Sequence, residues 1–221
     1  MKSINIAIDG PAGAGKSTIA KMVSAKLGYI YVDTGALYRT IALFITENNI
    51  ADGDIEQALE KADVSLKFID GAQRVFLGGR DVSDHIRTPE ISMAASRTSA
   101  IPAVRKYLFG TQQKIAAENN VIMDGRDIGT VVLPDADVKI FLSASPEVRA
   151  RRRWLELQEK GTPDTYEAVL ADLIARDERD SNRAIAPLRP ADDAVLLDTS
   201  GMTLQESIDA ILKLIRKKVT V

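Results

Sequence analysis

Five short apolar runs punctuate the chain: Ile4 to Ile8, Tyr29 to Val32, Val121 to Met123, Val138 to Leu142 and Val195 to Leu197. Each leads into a polar turn and then a helical pattern. Apolar runs of this kind, alternating with helices, predict the strands of a buried parallel sheet. The right-handed crossover between parallel strands then places helices on both faces. The expectation is a five-stranded, doubly wound α/β core. Its site should lie at the carboxyl ends of the strands, where Asp9, Asp33, Asp124, Ser143 and Asp198 stand.

Two segments break the alternation. Val64 to Ile69 reads as a strand, Asp70-Gly71 as a hairpin turn and Arg74 to Leu77 as a second strand. Gly78-Gly79 then turns into a short third strand near Asp81-Val82. This antiparallel meander predicts an insert at the rim, about residues 64–85. The second segment is rich in arginine. Ser145-Pro146-Glu147 supplies a hydroxyl N-cap, a proline at the first helical position and an acid in the first turn. The helix carries Arg149, Arg151, Arg152, Arg153 and Trp154 to Lys160, and Gly161 stops it. Thr162-Pro163-Asp164 is expected to start the next helix, which carries Arg176, Arg179 and Arg183. Two such helices make a hairpin suited to a lid, about residues 149–165. No fixed-period repeat divides the chain, so residues 1–221 read as one domain.

The strongest chemical signal is Gly10-Pro11-Ala12-Gly13-Ala14-Gly15-Lys16-Ser17, followed by Thr18. It matches G-x-x-x-x-G-K-[ST] between a strand and a helix, the context that motif requires. The glycines let the backbone curl until several N–H groups point at one anion. The new helix adds its positive N-terminal end. Lys16 reaches the β and γ phosphates of a nucleoside triphosphate, and the Ser17 hydroxyl can ligate Mg²⁺. Asp124 ends an apolar strand, as a metal-ordering acid of this loop class does.

Charge narrows the partners. The chain carries 29 Lys and Arg against 31 Asp and Glu, a net charge of −2. That balance argues against a general binder of nucleic acid or membrane surfaces. With no cysteine, thiolate metal sites and cysteine nucleophiles are excluded. His85 is the only histidine and lacks metal-ligand spacing, so it reads as structural or surface. No apolar run reaches the length of a membrane span, and Met1-Lys2-Ser3-Ile4-Asn5 enters a strand directly, unlike a signal peptide. A cytoplasmic monomer is expected.

A bound triphosphate can pass its γ-phosphoryl to a small molecule or to water. A GTP switch would carry Asn-Lys-x-Asp, and the nearest sequence, Glu60-Lys61-Ala62-Asp63, lacks the Asn. The arginines favour an anionic acceptor, because the guanidinium fork matches phosphate oxygens. Arg39 follows the second strand, Arg126 follows Asp124, and Arg105 begins a helix after Pro102. Arg176, Arg179 and Arg183 fall on one helix face by spacing, as do Arg149, Arg152 and Arg153. Singly, each could be a solvated ion pair, and Asp172, Asp177, Glu178 and Asp180 could partner the last set.

Further motifs are Asp33-Thr34-Gly35-Ala36-Leu37-Tyr38-Arg39, Ile101-Pro102-Ala103-Val104-Arg105 and Asp124-Gly125-Arg126-Asp127-Ile128-Gly129-Thr130. Leu155 to Gly161 and Arg176-Asp177-Glu178-Arg179-Asp180-Ser181-Asn182-Arg183 complete the set. With the phosphate loop and the meander, they make the chain resemble the bacterial cytidylate kinases over nearly its whole length. That resemblance implies phosphoryl transfer from ATP to CMP or dCMP, with Mg²⁺. It implies that Thr34, Arg39, Ser96, Arg105, Arg126, Asp127, Arg176 and Arg183 hold the monophosphate. Ser96, Arg105 and Asp127 would read base or sugar, and Arg39, Arg126 and Arg183 would grip the phosphate or transferring group. Lys16, Asp124, Arg126 and Arg183 would carry catalysis, and Arg152 and Arg153 would fold over the ATP phosphates. Kinases of the shikimate and gluconate type share the loop but lack the meander. A nucleotide binder without turnover is the remaining alternative.

Overall fold

The computed structural model describes residues 3–219 apart from Asp70 and Lys160. The chain runs β1 (Asn5–Asp9), α1 (Lys16–Leu27), β2 (Ile30–Asp33), α2 (Thr34–Glu47), α3 (Ile55–Leu59), β3 (Val64–Ile69), β4 (Ala72–Leu77) and β5 (Arg80–Asp81). It continues with α4 (Pro89–Thr98), α5 (Pro102–Glu118), β6 (Val121–Gly125), a π-turn over Ile128–Val132, β7 (Val138–Ser143), α6 (Pro146–Glu159), α7 (Tyr166–Asn182), β8 (Val195–Asp198) and α8 (Leu204–Lys218).

The main sheet has five strands in the order β2-β6-β1-β7-β8, and every pairing is parallel. Along β1 the side chains alternate between two cores. Ile6 and Ile8 pack with Ile19 and Val23 of α1 and Ile208 and Ile211 of α8, whereas Ala7 packs with Met123, Ala116 of α5 and Ile128. Helices therefore cover both faces, as the apolar runs predicted. Among the described residues, no helix is long and apolar enough to cross a membrane.

The meander is a separate three-stranded sheet, β3-β4-β5, antiparallel throughout. Of its hairpin turn, Asp70 lies outside the described residues, while Gly71 has φ 74°. Gln73 docks the insert on the main sheet. Its amide oxygen accepts from Asp33 N–H at 2.8 Å and its amide nitrogen donates to Asp33 O at 3.2 Å.

The second helix of the arginine-rich segment starts later than its sequence suggests. Thr165 caps it, accepting from Ala168 N–H at 3.2 Å, and α7 begins at Tyr166. Thr162 serves the preceding helix instead. Its N–H and hydroxyl both donate to Leu157 O, at 3.1 and 3.0 Å, and close α6 together with Gly161 at φ 72°. At the far end Arg183 has left the helix, with φ −64° and ψ 141°. The shared face expected for Arg176, Arg179 and Arg183 does not form, because Arg179 points to solvent.

Candidate active site

The loop from Gly10 to Ser17 joins β1 to α1 at the carboxyl edge of the sheet. Gly10 has φ 147°, and a Cβ there would lie 1.9 Å from Leu142 O on β7, so only glycine fits. Gly13 and Gly15 also have positive φ, and Gly15 opens α1 without a side-chain cap. The first N–H groups of α1 are thereby left to an anion. Lys16 is buried, with Nζ donating to Pro11 O at 2.7 Å. Burial and then the Arg126 charge lower its pKa, while Asp124 and Asp9 oppose the shift. Thr18 stands exposed in the first turn of α1.

Asp124 collects two hydroxyls. Ser17 Oγ donates to Oδ2 at 2.7 Å and Tyr31 to Oδ1 at 3.1 Å. Burial, followed by the nearby Asp33 charge, pushes its carboxyl up to about 6. The Thr34 hydroxyl donates to Asp124 O at 2.7 Å, tying the start of α2 to the end of β6.

The α6–α7 hairpin leans on the loop. Ala12 shares an apolar cluster with Ala150, Val169 and Leu173, and Trp154 packs edge-on against Tyr166 between the two helices. Arg149, 2% exposed, donates to Ala12 O and Ala144 O, each at 2.9 Å, and pairs with Asp177 at 2.6 Å. Arg149 thus holds the loop's backbone and does not share a role with Arg152 and Arg153. Arg152 donates to Thr199 O at 3.0 Å, and its Nη1 stands 3.9 Å from the position of a Cβ on Gly15. Arg153 pairs with Glu156 at 3.2 Å, its side chain 42% exposed, and the structure does not bring it to the loop.

Beyond the loop, arginines converge from four elements. Arg39 on α2 pairs with Asp33 at 2.8 Å, and Arg126 after β6 pairs with Asp180 of α7 at 2.9 Å. Arg105 on α5 and Arg183 after α7 both pair with Asp127, the latter at 3.2 Å. Arg105 also donates to Ser99 O at 3.3 Å and stands 5.7 Å from the Tyr38 ring centre. Ser96 lies half-buried on α4, where its carbonyl accepts from Ser99 Oγ. Arg176 differs from the others. Its Nε is buried and has no hydrogen-bond partner among the described residues. Burial, then the Arg126 charge, lowers its pKa to about 10, and the Arg39 charge adds to that. Arg39 Nε likewise has no partner among the described residues. Guanidinium groups that converge with unused donors match the fork geometry of phosphate oxygens.

The model of the cytidylate kinase family matches residues 6–217. The chain belongs to that family. The cytidylate kinase of Caldicellulosiruptor bescii is 50% identical over 222 aligned residues, covering 99% of this chain and 98% of its own length. That of Caldanaerobacter subterraneus subsp. tengcongensis is 52% identical over 218, covering 97% and 96%. Among solved structures, an uncharacterized protein from Eubacterium ventriosum superposes with a TM-score of 0.55 at 14% identity, covering 98% of this chain and 99% of that one. That likeness shows the fold alone.

Sequence reasoning missed several residues of this cytidylate kinase family member's site. Asp177 and Asp180 read as screens for neighbouring arginines on α7, yet they pair with Arg149 and Arg126 of other elements. Tyr31 on Asp124 and Gln73 on Asp33 gave no signal, because their partners are distant in sequence. Asp9 was visible only as a strand-end acid. His85 is exposed in a short turn.

Proposed function

We propose the following division of labour for the reaction that family membership carries, transfer of the γ-phosphoryl of ATP to CMP or dCMP, giving ADP and CDP or dCDP. The ATP phosphates lie on the backbone N–H groups of Gly10 to Thr18. Lys16 turns from Pro11 O to the β and γ phosphates, and Arg152 covers them from α6. The CMP phosphate enters among Arg39, Arg126 and Arg176, and its charge takes up the unused donors there. Arg126 and Arg183 stay with the transferring group and stabilise its equatorial charge, while Asp124 orients Ser17. Ser96, Arg105 and Asp127 read the base and sugar, with Thr34 fixing the edge of the pocket. Cytosine carries an amino donor where uracil carries an oxygen, so the Asp127 carboxylate favours CMP and repels UMP. The α6–α7 hairpin acts as a lid over the single domain and excludes water.

The Ser17 hydroxyl and the Asp124 carboxylate, 2.7 Å apart, are hard oxygen donors of the kind Mg²⁺ takes. They would hold the ion with the nucleotide, directly or through water. When bound, it neutralises charge between the β and γ phosphates.

The observation that carries this reading is Arg176, a half-buried cation whose buried Nε has no partner among the described residues and which Arg126 and Arg39 repel against the pull of Asp180. A shikimate-type acceptor would not call for such a cluster. The test is ADP release with ATP, Mg²⁺ and one acceptor at a time: CMP, dCMP, UMP, AMP, GMP, shikimate or gluconate. Fast turnover with CMP and dCMP, and little with AMP or GMP, is expected. Turnover only with another acceptor would overturn the pocket, and none at all would leave a nucleotide binder.

A further inference from the structure

Asp9 is the last residue of β1 and immediately precedes Gly10 of the phosphate loop. It is 5% exposed, and both its oxygens reach across to the neighbouring strand's exit. Oδ1 accepts from Ile128 N–H at 2.8 Å and Oδ2 from Gly129 N–H at 2.7 Å. These are the first N–H groups of the π-turn, donors that a helical turn leaves without internal partners.

The residue just before them is Asp127. Its carbonyl accepts from Val131 and Val132 N–H, at 2.9 and 3.2 Å. Its backbone is therefore set by the turn, and the turn is fastened to β1 by Asp9. Gly129 lets the fastening close, since a Cβ there would lie 3.2 Å from Lys139 Cδ and 3.4 Å from Asp9 Oδ2. The charges that bear on Asp9 are Lys16 on one side and Asp127 on the other.

We propose that Asp9 is a positioning residue, whose two-oxygen clamp on Ile128 and Gly129 sets where Asp127 stands relative to the phosphate loop. The proposal rests on the reading that Asp127 recognises the base. Burial pushes the Asp9 carboxyl up to about 6, so the ionised form is disfavoured there. An apolar side chain would fill the core, but it could not hold two backbone donors. The clamp transmits the position of β1, the strand that launches the loop, to the residue that reads the second substrate.

The test compares the whole enzyme with Asp9→Asn and Gly129→Ala. In Asp9→Asn one oxygen becomes an amide donor facing an N–H, so one clamp bond is lost. In Gly129→Ala the added methyl presses the same turn away from Lys139 and Asp9. Each variant should raise KM for CMP about tenfold, the scale of one buried hydrogen bond. Each should lower the CMP-over-UMP ratio of kcat/KM several-fold, while ATP affinity without CMP changes less than about twofold. A lowered Tm with KM for CMP and the ratio unchanged would make Asp9 merely structural and overturn the proposal. So would ATP affinity falling in step with CMP, which would mean the loop itself had deformed. Asp127→Ala is measured beside them. A normal ratio in Asp127→Ala sinks the base-reading role and the proposal with it. A lowered ratio there, with normal ratios in the other two, sinks the proposal alone. Should Asp9→Asn not fold, Gly129→Ala decides.

Discussion

Arg149 donates from Nη1 to the carbonyl oxygen of Ala12 at 2.9 Å, so the α6–α7 hairpin holds the phosphate loop by its backbone. The same guanidinium holds Ala144 O and Asp177, which bolts the first helix of the hairpin to β7 and to the second helix. Of the consecutive arginines that follow, Arg152 is left beside the loop.

Replacing Arg149 by Ala should therefore cost more than a surface arginine. Asp177 would keep a partly buried charge without its partner, and loss of one member of such a pair costs about 3 kcal/mol. Urea unfolding of Arg149→Ala should show a loss of that order. Adding Asp177→Asn should recover part of it, because the stranded charge is then removed. If the double variant is no better than the single one, the stranded charge is not the cause, and the lost bonds to Ala12 and Ala144 account for the effect.

The sheet was legible because its strands are apolar on both faces and bounded by turns, a pattern that Ile6-Ala7-Ile8 and Val121-Ile122-Met123 carry without help from the rest of the chain. The phosphate loop was legible because its spacing and its flanking elements are local. What was not legible involves choices between near neighbours and pairings across elements. Thr162 and Thr165 both look like helix caps, and only the packing of Gly161 and Leu157 assigns the first to α6. Arg176 and Arg183 share a helical spacing on paper, yet Arg183 is drawn out of the helix to Asp127. Asp180 is separated from Arg126 by more than two elements, so no window of sequence contains that pair.

Arg126 stands between the two halves of the site. It pairs with Asp180 and its charge bears on both Lys16 and Arg176. Arg126→Ala should lower kcat about a hundredfold or more, the scale of one lost charge-stabilising donor. ATP affinity, measured by equilibrium binding without CMP, should stay near normal. Unchanged turnover would remove Arg126 from the site.

Arg176 predicts effects of opposite sign on stability and function. It is a half-buried cation whose buried Nε has no partner among the described residues, with Arg126 and Arg39 repelling it and Asp180 attracting it. Arg176→Met keeps an unbranched stem of similar bulk up to the Nε position and removes the guanidinium charge. Thermal melting should show a protein as stable as the parent or more stable by about 1 kcal/mol, since buried charges are often replaced at no cost. KM for CMP should rise at least tenfold, since a phosphate would lose a charged partner. A variant that melts lower and binds CMP normally would mean that Arg176 supports the fold instead.

Asp9 makes a prediction in pH. Burial raises its carboxyl from the ordinary value of 3.8 to about 6, so the folded protein holds this proton more tightly than the unfolded chain does. The resulting stabilisation is fully present below about pH 4 and is lost as pH rises through about 6. Its size is about 3 kcal/mol by the usual conversion of pKa to free energy. Asp9→Asn cannot titrate there, and groups away from the clamp titrate alike in both proteins, with Lys16 and Asp127 the neighbours whose charges bear on it. Between pH 4 and pH 7 the parent should lose about 2 kcal/mol of unfolding free energy that the variant does not lose. Urea unfolding of both proteins across that range reads the difference directly. Parallel curves would mean that the two backbone donors from Ile128 and Gly129 balance burial, so that Asp9 titrates in the folded protein as it does in the unfolded chain.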